Sequence, residues 1–314
     1  MKLSIIIPAY QEEKTIASTL KALFIAIDKA QLEPEIFLVD SSLNMATHDE
    51  ALRIADEMHH PLTVLKQTQQ TFAGKARNIG SKAAQHELLV FIDAGVYLEE
   101  DWFIKVLKVH HEQRCELVWG KITYDPKTIF ERSYLRSFMR ANYSRRDTNN
   151  FLITKSKYWE IGGLNEQVHS GEDLEFFTKL DRLEINEGYT DALAYYRHFP
   201  QNTRTILRKW ISFTTDNVMI HQARAKFIFV GFELVTLLVV LLIGIVDPFS
   251  GMLALVIWLG LRFIFQVIVA KRPFKHLAEI PLTLYLILVF DLTRACGLIK
   301  GIGRLLKNNK EIHR

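Results

Sequence analysis

Cysteine is nearly absent: Cys115 and Cys296 are the only two in 314 residues. They lie far apart, one in each half of the chain, which excludes a disulfide framework and a cysteine metal knuckle. No G-x-G-x-x-G and no G-x-x-x-x-G-K-[ST] stretch occurs, so a Rossmann dehydrogenase and a P-loop NTPase are both disfavoured. There is no internal repeat and no low-complexity tract. The first apolar run, Leu3 to Ile7, is too short for the core of a signal peptide and meets Pro8, Glu12, Glu13 and Lys14 at once. The soluble part is therefore expected in the cytoplasm, where the Asn142-Tyr143-Ser144 sequon has no consequence. The net charge of +4 is modest, and no nucleic-acid partner is expected.

Long apolar runs are present only in the second half. Up to about Lys226 charged and apolar residues are interspersed; beyond it they separate. Phe227 to Val246 carries one charge, Glu233, and Phe249 to Ala270 carries only Arg262. Each approaches the roughly 20 residues that cross a bilayer. A membrane hairpin turning at Asp247-Pro248 follows, with Glu233 and Arg262 as an expected ion pair between adjacent helices. A third run, Leu277 to Ile299, holds Glu279, Pro281, Asp291 and Arg294, and is left open between spanning, re-entering and lying in the interface. Arg197, Arg204, Arg208, Lys209, Arg224 and Lys226 precede the hairpin, and Lys271, Arg272 and Lys275 follow it. Both flanks then face the cytoplasm by the positive-inside rule. A spanning third run would carry Lys300, Arg304, Lys307, Lys310 and Arg314 outside, against that rule. The expected division is a catalytic domain over 1–215 and a multi-pass membrane region over 216–314, whose basic residues also suit anionic membrane lipids.

In the first part, strand-like runs alternate with helical patterns. Leu3 to Ile7, Glu35 to Val39, Leu62 to Lys66, Leu88 to Ile92 and Leu117 to Thr123 read as strands, and Thr15 to Ala30, Gly74 to Ala84 and Asp101 to His110 as helices. Such alternation implies an α/β fold with a mostly parallel sheet flanked by helices.

Ligands of open α/β sheets bind beyond the carboxyl ends of the strands, and the polar residues of this chain gather there. Pro8-Ala9-Tyr10-Gln11-Glu12 follows the first strand, Asp40-Ser41-Ser42 the second, and Asp93-Ala94-Gly95 the buried run LLVFI. Taken alone, Asp93 is equally a turn former. Lys75 and Arg77, beside Gly74 and Asn78, suit a diphosphate, Arg through its planar fork and Lys as a point charge. Glu172 and Asp173 open an apolar-periodic helix. The helix dipole alone explains them there, but a nucleotide site in the same chain makes a general base the better reading.

Taken in order, IIIPAYQEEKTI, FLVDSS, GKARNIG, VFIDAG, IGGLNE and GEDLEFFTKL resemble the motifs of the family 2 glycosyltransferases of the GT-A fold, over about residues 1–215. The resemblance implies a nucleotide-diphospho-sugar transferase fold followed by C-terminal membrane helices. It also implies an inverting transferase that moves a sugar from a nucleotide-diphosphate sugar, usually a UDP- or GDP-sugar, to an acceptor in one displacement. By position, Pro8, Ala9, Tyr10 and Glu12 would shape the base and ribose pocket and Asp40 would hold the base. Lys75, Arg77 and Asn78 would approach the diphosphate, and Gly163 would help form the acceptor side. Asp93 would be the first acid of the D-x-D metal motif, and Asp173, paired with Glu172, the catalytic base. Arg204, Arg208 and Trp210 resemble the segment that closes over the nucleotide, at a different spacing, and His198 is a further phosphate or metal candidate.

The departure is Gly95, where the motif has its last acid. A hard divalent ion keeps several waters, so the expectation is a weaker Mg2+ or Mn2+ site at Asp93. Its alternative is a diphosphate neutralised by Lys75, Arg77 and the later arginines. The expected protein is a membrane-anchored glycosyltransferase acting on a lipid, lipid-linked or glycan acceptor, in cell-envelope polysaccharide or glycolipid synthesis. A nucleotidyl or sugar-phosphate transferase on a similar sheet and a degenerate membrane scaffold are the competing readings; a transporter is disfavoured because two or three helices are few for a path. Tyr124 to Asn150, with Arg132, Tyr134, Arg136, Phe138, Arg140, Tyr143, Arg145 and Arg146, reads as an amphipathic segment against the membrane.

Overall fold

A computed structural model describes residues 2–138, 146–219 and 227–312. Arg140, Tyr143 and Arg145, the sequon at 142–144, Arg224, Lys226 and Arg314 lie outside the described residues, as do the side chains of Glu233 and Lys310. The chain divides into two compact units, one of Met1–Asp125 with Ser144–His198, the other of Pro126–Tyr143 with Phe199–Arg314.

The elements follow in chain order: β1 (Leu3–Ala9), α1 (Ile16–Lys29), β2 (Glu35–Asp40), α2 (Ala46–Glu57), β3 (Thr63–Val64), α3 (Ala73–Ala83), β4 (Leu88–Ile92), β5 (Val96–Leu98), α4 (Trp102–Gln113), β6 (Leu117–Tyr124), α5 (Ile129–Phe138), β7 (Asn150–Thr154), α6 (Lys155–Glu160), α7 (Glu172–Leu180), β8 (Glu187–Tyr196), α8 (Thr203–Met219), α9 (Phe227–Val246), α10 (Pro248–Ala270) and α11 (Glu279–Ile312).

In the first unit the sheet runs β3-β2-β1-β4-β7-β6-β8-β5. The strands from β3 to β4 are mutually parallel; β7 is antiparallel to both β4 and β6, β8 runs parallel to β6, and β5 antiparallel to β8. The sheet is thus mixed, with four parallel and three antiparallel pairings, and the expected α/β fold with a mostly parallel sheet flanked by helices is what is found.

Side chains alternate across each strand, and both faces are covered. Ile5, Ile7, Leu38, Val90 and Ile92 pack against α1, α2 and α4. Ile6, Phe37, Val39, Leu89 and Phe91 pack against α3, α6 and α7. Burial on both faces is why the central strands read as continuous apolar runs. Helix α1 buries Ile16, Leu20, Leu23, Phe24 and Ile27, the apolar face expected from their spacing.

The second unit is helical. Arg136 is its central cation, 1% exposed. Its guanidinium lies 3.9 Å from the Phe274 ring centroid, donates to the Arg272 and Pro273 carbonyls, and pairs with Glu279 at 2.9 Å. Arg132 takes the other Glu279 oxygen at 2.7 Å, and Tyr134 accepts from Trp210 Nε1. The lipid-facing reading of this segment is therefore corrected for Arg132, Tyr134 and Arg136, whose side chains point into protein.

Among the described residues two helices are long and apolar enough to cross a membrane, Pro248–Ala270 and Glu279–Lys307, while Val235–Val246 is a shorter apolar stretch within α9. Asp247 caps α10, accepting from the Phe249 and Ser250 amides, with Pro248 in the first turn. Arg262 makes a two-pronged pair with Asp291 of α11 at 2.7 and 3.1 Å; its expected pairing with Glu233 falls on a side chain outside the described residues.

Candidate active site

At the carboxyl ends of β1, β2 and β4 a cavity of about 190 Å³ opens, lined by Pro8, Ala9, Tyr10, Glu12, Ser41, Thr71, Ala73, Ala76, Asp93 and Ala94. Five of the expected site residues, Pro8, Ala9, Tyr10, Glu12 and Asp93, meet there. The only charged side chains in the lining are carboxylic. Glu12 is pushed above its usual range by burial, against the hydroxyl of Thr15 and the nearby His198, with Asp93 and Glu13 adding to the rise. Thr15 Oγ1 donates to its carboxylate.

Asp93 leaves β4 with its amide donating to the Asn149 carbonyl at 3.1 Å, and its Oδ1 accepts from Arg77 Nη2 at 2.5 Å. Arg77 comes from α3 and is completely buried. Its Nη1 lies 3.6 Å from Glu172 Oε1, and Nη1 and Nε make no hydrogen bond among the described residues. Burial works against this cation, but the charges of Asp93 and Glu172 outweigh it and raise its pKa. The guanidinium therefore joins the end of β4 to the start of α7. Burial lifts Glu172 to about 7, with Arg77 pulling it down and Asp173 and Asp93 pushing it up. Asp173, beside it, accepts from the Leu174 amide at 2.8 Å.

Asp147 joins this cluster without having been singled out from the sequence. It sits just before β7, accepts from the Asn149 amide at 2.9 Å, and is pushed up to about 7 by burial. The Asn149 amide and Arg77 lower it, and Asp93 and Asp173 raise it. Its one sequence signal is the polar run Arg146-Asp147-Thr148-Asn149-Asn150 directly ahead of the apolar FLIT.

Other expected residues are bound inward. Asp40 is fully buried, one oxygen on Lys66 Nζ at 2.7 Å and the other on the Ser42 amide at 2.9 Å. Asn78 is buried, donating to the Leu164 carbonyl and Glu166 and accepting from Tyr158 and the Leu164 amide. It braces α3 against the glycine-rich turn. Gly163, at φ +63°, completes this brace, since a Cβ there would stand 2.7 Å from Asn78 Oδ1. Lys75 is exposed on α3. Arg204 and Arg208 are exposed on α8, in the second unit.

Gly95 has φ +86°, and a Cβ on it would lie 3.2 Å from the Cβ of His198. The last acid of a D-x-D motif would thus meet a strained backbone and a tight contact with His198 here. Among the described residues no cluster of three or more His, Cys, Asp or Glu is arranged to hold a metal. One carboxylate, Asp93, does line the cavity, and a hexahydrate-loving ion needs only one or two carboxylates beside substrate phosphates. The residues present fit such an ion bound jointly with a diphosphate.

Comparison with known proteins agrees with this architecture. An uncharacterized glycosyltransferase of Haemophilus influenzae is 24% identical over 246 residues, covering 71% of this chain and 79% of that protein. The poly(ribitol-phosphate) beta-N-acetylglucosaminyltransferase TarS of Staphylococcus aureus is 30% identical over 104 residues, 32% of this chain, and the chain spans only 17% of its length. The mannosyltransferase PcManGT of Pyrobaculum calidifontis, solved with GDP-Man and Mn2+, superposes with a TM-score of 0.58 at 14% identity, covering 96% of this chain and 86% of that one. The family model for glycosyl transferase family 2 matches residues 4–166, more than half of the chain. The fold is that of a GT-A glycosyltransferase, and the chain belongs to glycosyl transferase family 2.

Proposed function

We propose that this glycosyltransferase is an inverting, membrane-anchored enzyme that moves a hexosyl group from a nucleotide-diphosphate sugar to a lipid or lipid-linked acceptor. The observation that carries the reading is the buried Arg77, which ties Asp93 at the cavity to Glu172 beside Asp173. A donor site and a candidate base are thereby held by one side chain.

Pro8, Ala9 and Tyr10 receive the nucleoside, with Asp40 and Lys66 fixing the β2 end beneath it. Glu12 faces the ribose, and the exposed Lys75 approaches the phosphates. Asp173 takes the proton from the acceptor hydroxyl as its oxygen attacks the anomeric carbon, and the bond to the diphosphate breaks on the opposite side. Gly163 and its turn shape the acceptor side; Arg204 and Arg208 are assigned to the late closure over the nucleotide.

Asp93 would hold Mg2+ or Mn2+ together with the donor diphosphate, and the Pyrobaculum structure contains Mn2+ with GDP-Man. When bound, the ion supplies positive charge to the leaving diphosphate. A lining whose charged side chains are Glu12 and Asp93 supports this, since a diphosphate entering beside them needs a counter-charge. Support for the membrane reading comes from α10, long and apolar enough to cross a membrane, and from the apolar stretch Val235–Val246 of α9 before it, with basic residues flanking this hairpin at both ends.

The test is a screen of UDP- and GDP-sugars for binding and slow hydrolysis by the full chain, with Mn2+ or with EDTA. One donor is expected to bind and hydrolyse in a metal-dependent manner. No binding by any nucleotide sugar would overturn the assignment in favour of a scaffold.

A further inference from the structure

Helix α11 carries two unlike faces. On one, Leu286, Ile287, Val289, Phe290 and Thr293 are buried. On the other, Leu288, Leu292, Ile299, Ile302 and Leu306 are exposed by 38 to 69%. With Ala295 they recur at alternating steps of four and three, which makes one continuous apolar stripe.

The buried face is covered by α8, running in the same direction. Tyr285 donates to Thr203 at 3.2 Å near the start, and Arg304 pairs with Asp216 at 3.1 Å near the end. Between them the helices touch closely: a Cβ on Gly297 would stand 2.5 Å from Thr214 Cβ, and one on Gly301 2.6 Å from Val218 Cβ. From Tyr285 to Arg304 is roughly 28 Å of helix, close to the thickness of a hydrocarbon core. If α11 crossed the bilayer, α8 would be drawn in with it over the same depth. That helix carries Arg204, Arg208, Lys209 and Asp216, side chains that hydrocarbon strongly disfavours.

We infer that α11 lies in the plane of the membrane surface, its apolar stripe sunk to the acyl boundary of anionic lipids and α8 riding on its water side. The inference rests on the membrane reading of the α9–α10 hairpin. Charge complementarity selects the occupant: Lys300 and Lys307 are exposed beside the stripe, within reach of lipid phosphates. Continuity supports it, since exposed Leu253, Val256, Leu261 and Ile268 give α10 an apolar surface of the same kind. The in-plane placement also keeps the basic end of the chain on the side of Lys271 and Lys275, which a crossing would not.

The test uses the full chain with Cys296→Ser, in membrane vesicles of known orientation, and an impermeant maleimide as probe. Buried Cys115 stays as the unlabelled background. Phe249→Cys reports the hairpin turn, His276→Cys the loop before α11, and Lys307→Cys the far end of the stripe. Positions 276 and 307 are expected to label from one face, at least tenfold over the other, and 249 from the opposite face. If 249 shares the face of 276, the hairpin reading fails and the placement of α11 with it. If 249 behaves as expected but 307 labels with it, or from neither side, α11 enters the bilayer and only this inference falls. A second copy is the rival occupant of the stripe. An Ile299→Cys variant that oxidises mostly to a cross-linked dimer would assign the stripe to it, and a nitroxide at 299 in contact with lipid supports the membrane.

Discussion

Arg77 Nη2 stands 2.5 Å from Asp93 Oδ1, a pair in which the cation is buried and the carboxylate faces the cavity. The guanidinium therefore fixes Asp93 from beneath. Whatever enters the cavity meets a carboxylate already oriented and already partly neutralised.

Replacing Arg77 with Met leaves Asp93 and Glu172 facing one another without their shared cation. Breaking a buried pair in this way costs about 3–5 kcal/mol. Without the cation that lowers it, the Glu172 carboxyl holds its proton to higher pH, so the acidic limb of the pH–rate profile moves upward. Arg77→Lys is expected to restore part of the rate and most of that limb. A profile unchanged in Arg77→Met would remove Arg77 from the proton chemistry.

Asp173→Asn removes the proposed base and keeps the shape of α7. General-base catalysis is worth roughly 10²- to 10⁴-fold, and a rate loss in that range is expected with donor affinity within about twofold of wild type, measured calorimetrically with the nucleoside diphosphate. Equal loss of binding and rate would make Asp173 a binding residue.

Asp147 and Glu172 both hold protons to about pH 7 in the folded chain, well above their ordinary values. The folded state thus binds more protons than the unfolded state between about pH 4 and 7, and stability falls as pH rises through that window. Asp147→Asn keeps the acceptor for the Asn149 amide and removes the buried charge. Its melting temperature is expected to exceed wild type at pH 8, by the equivalent of about 1–3 kcal/mol, and the gap to close near pH 4. A gap independent of pH would refute this origin.

Gly95→Asp restores the family's acid in sequence only. At φ +86° and with His198 3.2 Å from the new Cβ, the variant is expected to be less stable by about 1–2 kcal/mol. It is also expected to bind Mn2+ no more tightly, read by titration of the ion with the nucleoside diphosphate present. A tenfold gain in Mn2+ affinity would show that the backbone yields.

The sequence was most readable where one physical requirement dominated. Ile5, Ile7, Val90 and Ile92 lie in strands buried on both faces, and their apolar runs say so. Asp93 and the Glu172-Asp173 pair each have an ordinary reason to be there, a turn or a helix dipole, and stood out only because several polar strand ends and ordered motifs occur in one chain. Arg77 was legible as a site residue, but whether its charge faced outward or inward depended on the rotation of α3, which spacing alone does not fix. Asp147 was hidden because its neighbours are set by the pairing of β7 with β4, a contact between distant parts of the chain. Asp291 as a partner of Arg262 was hidden in the same way, because it depends on the packing of α11 against α10.

The sheet changes direction between β4 and β7, where Ile92 is paired with Asn150. One strand leaves the sheet at the very edge where the other enters, so Asp93 and Asp147 are neighbours although 54 positions separate them. The field around Asp93 can therefore be retuned by altering the approach to β7, leaving the strand that carries Asp93 untouched. Chains built on this frame have a second handle on the same carboxylate.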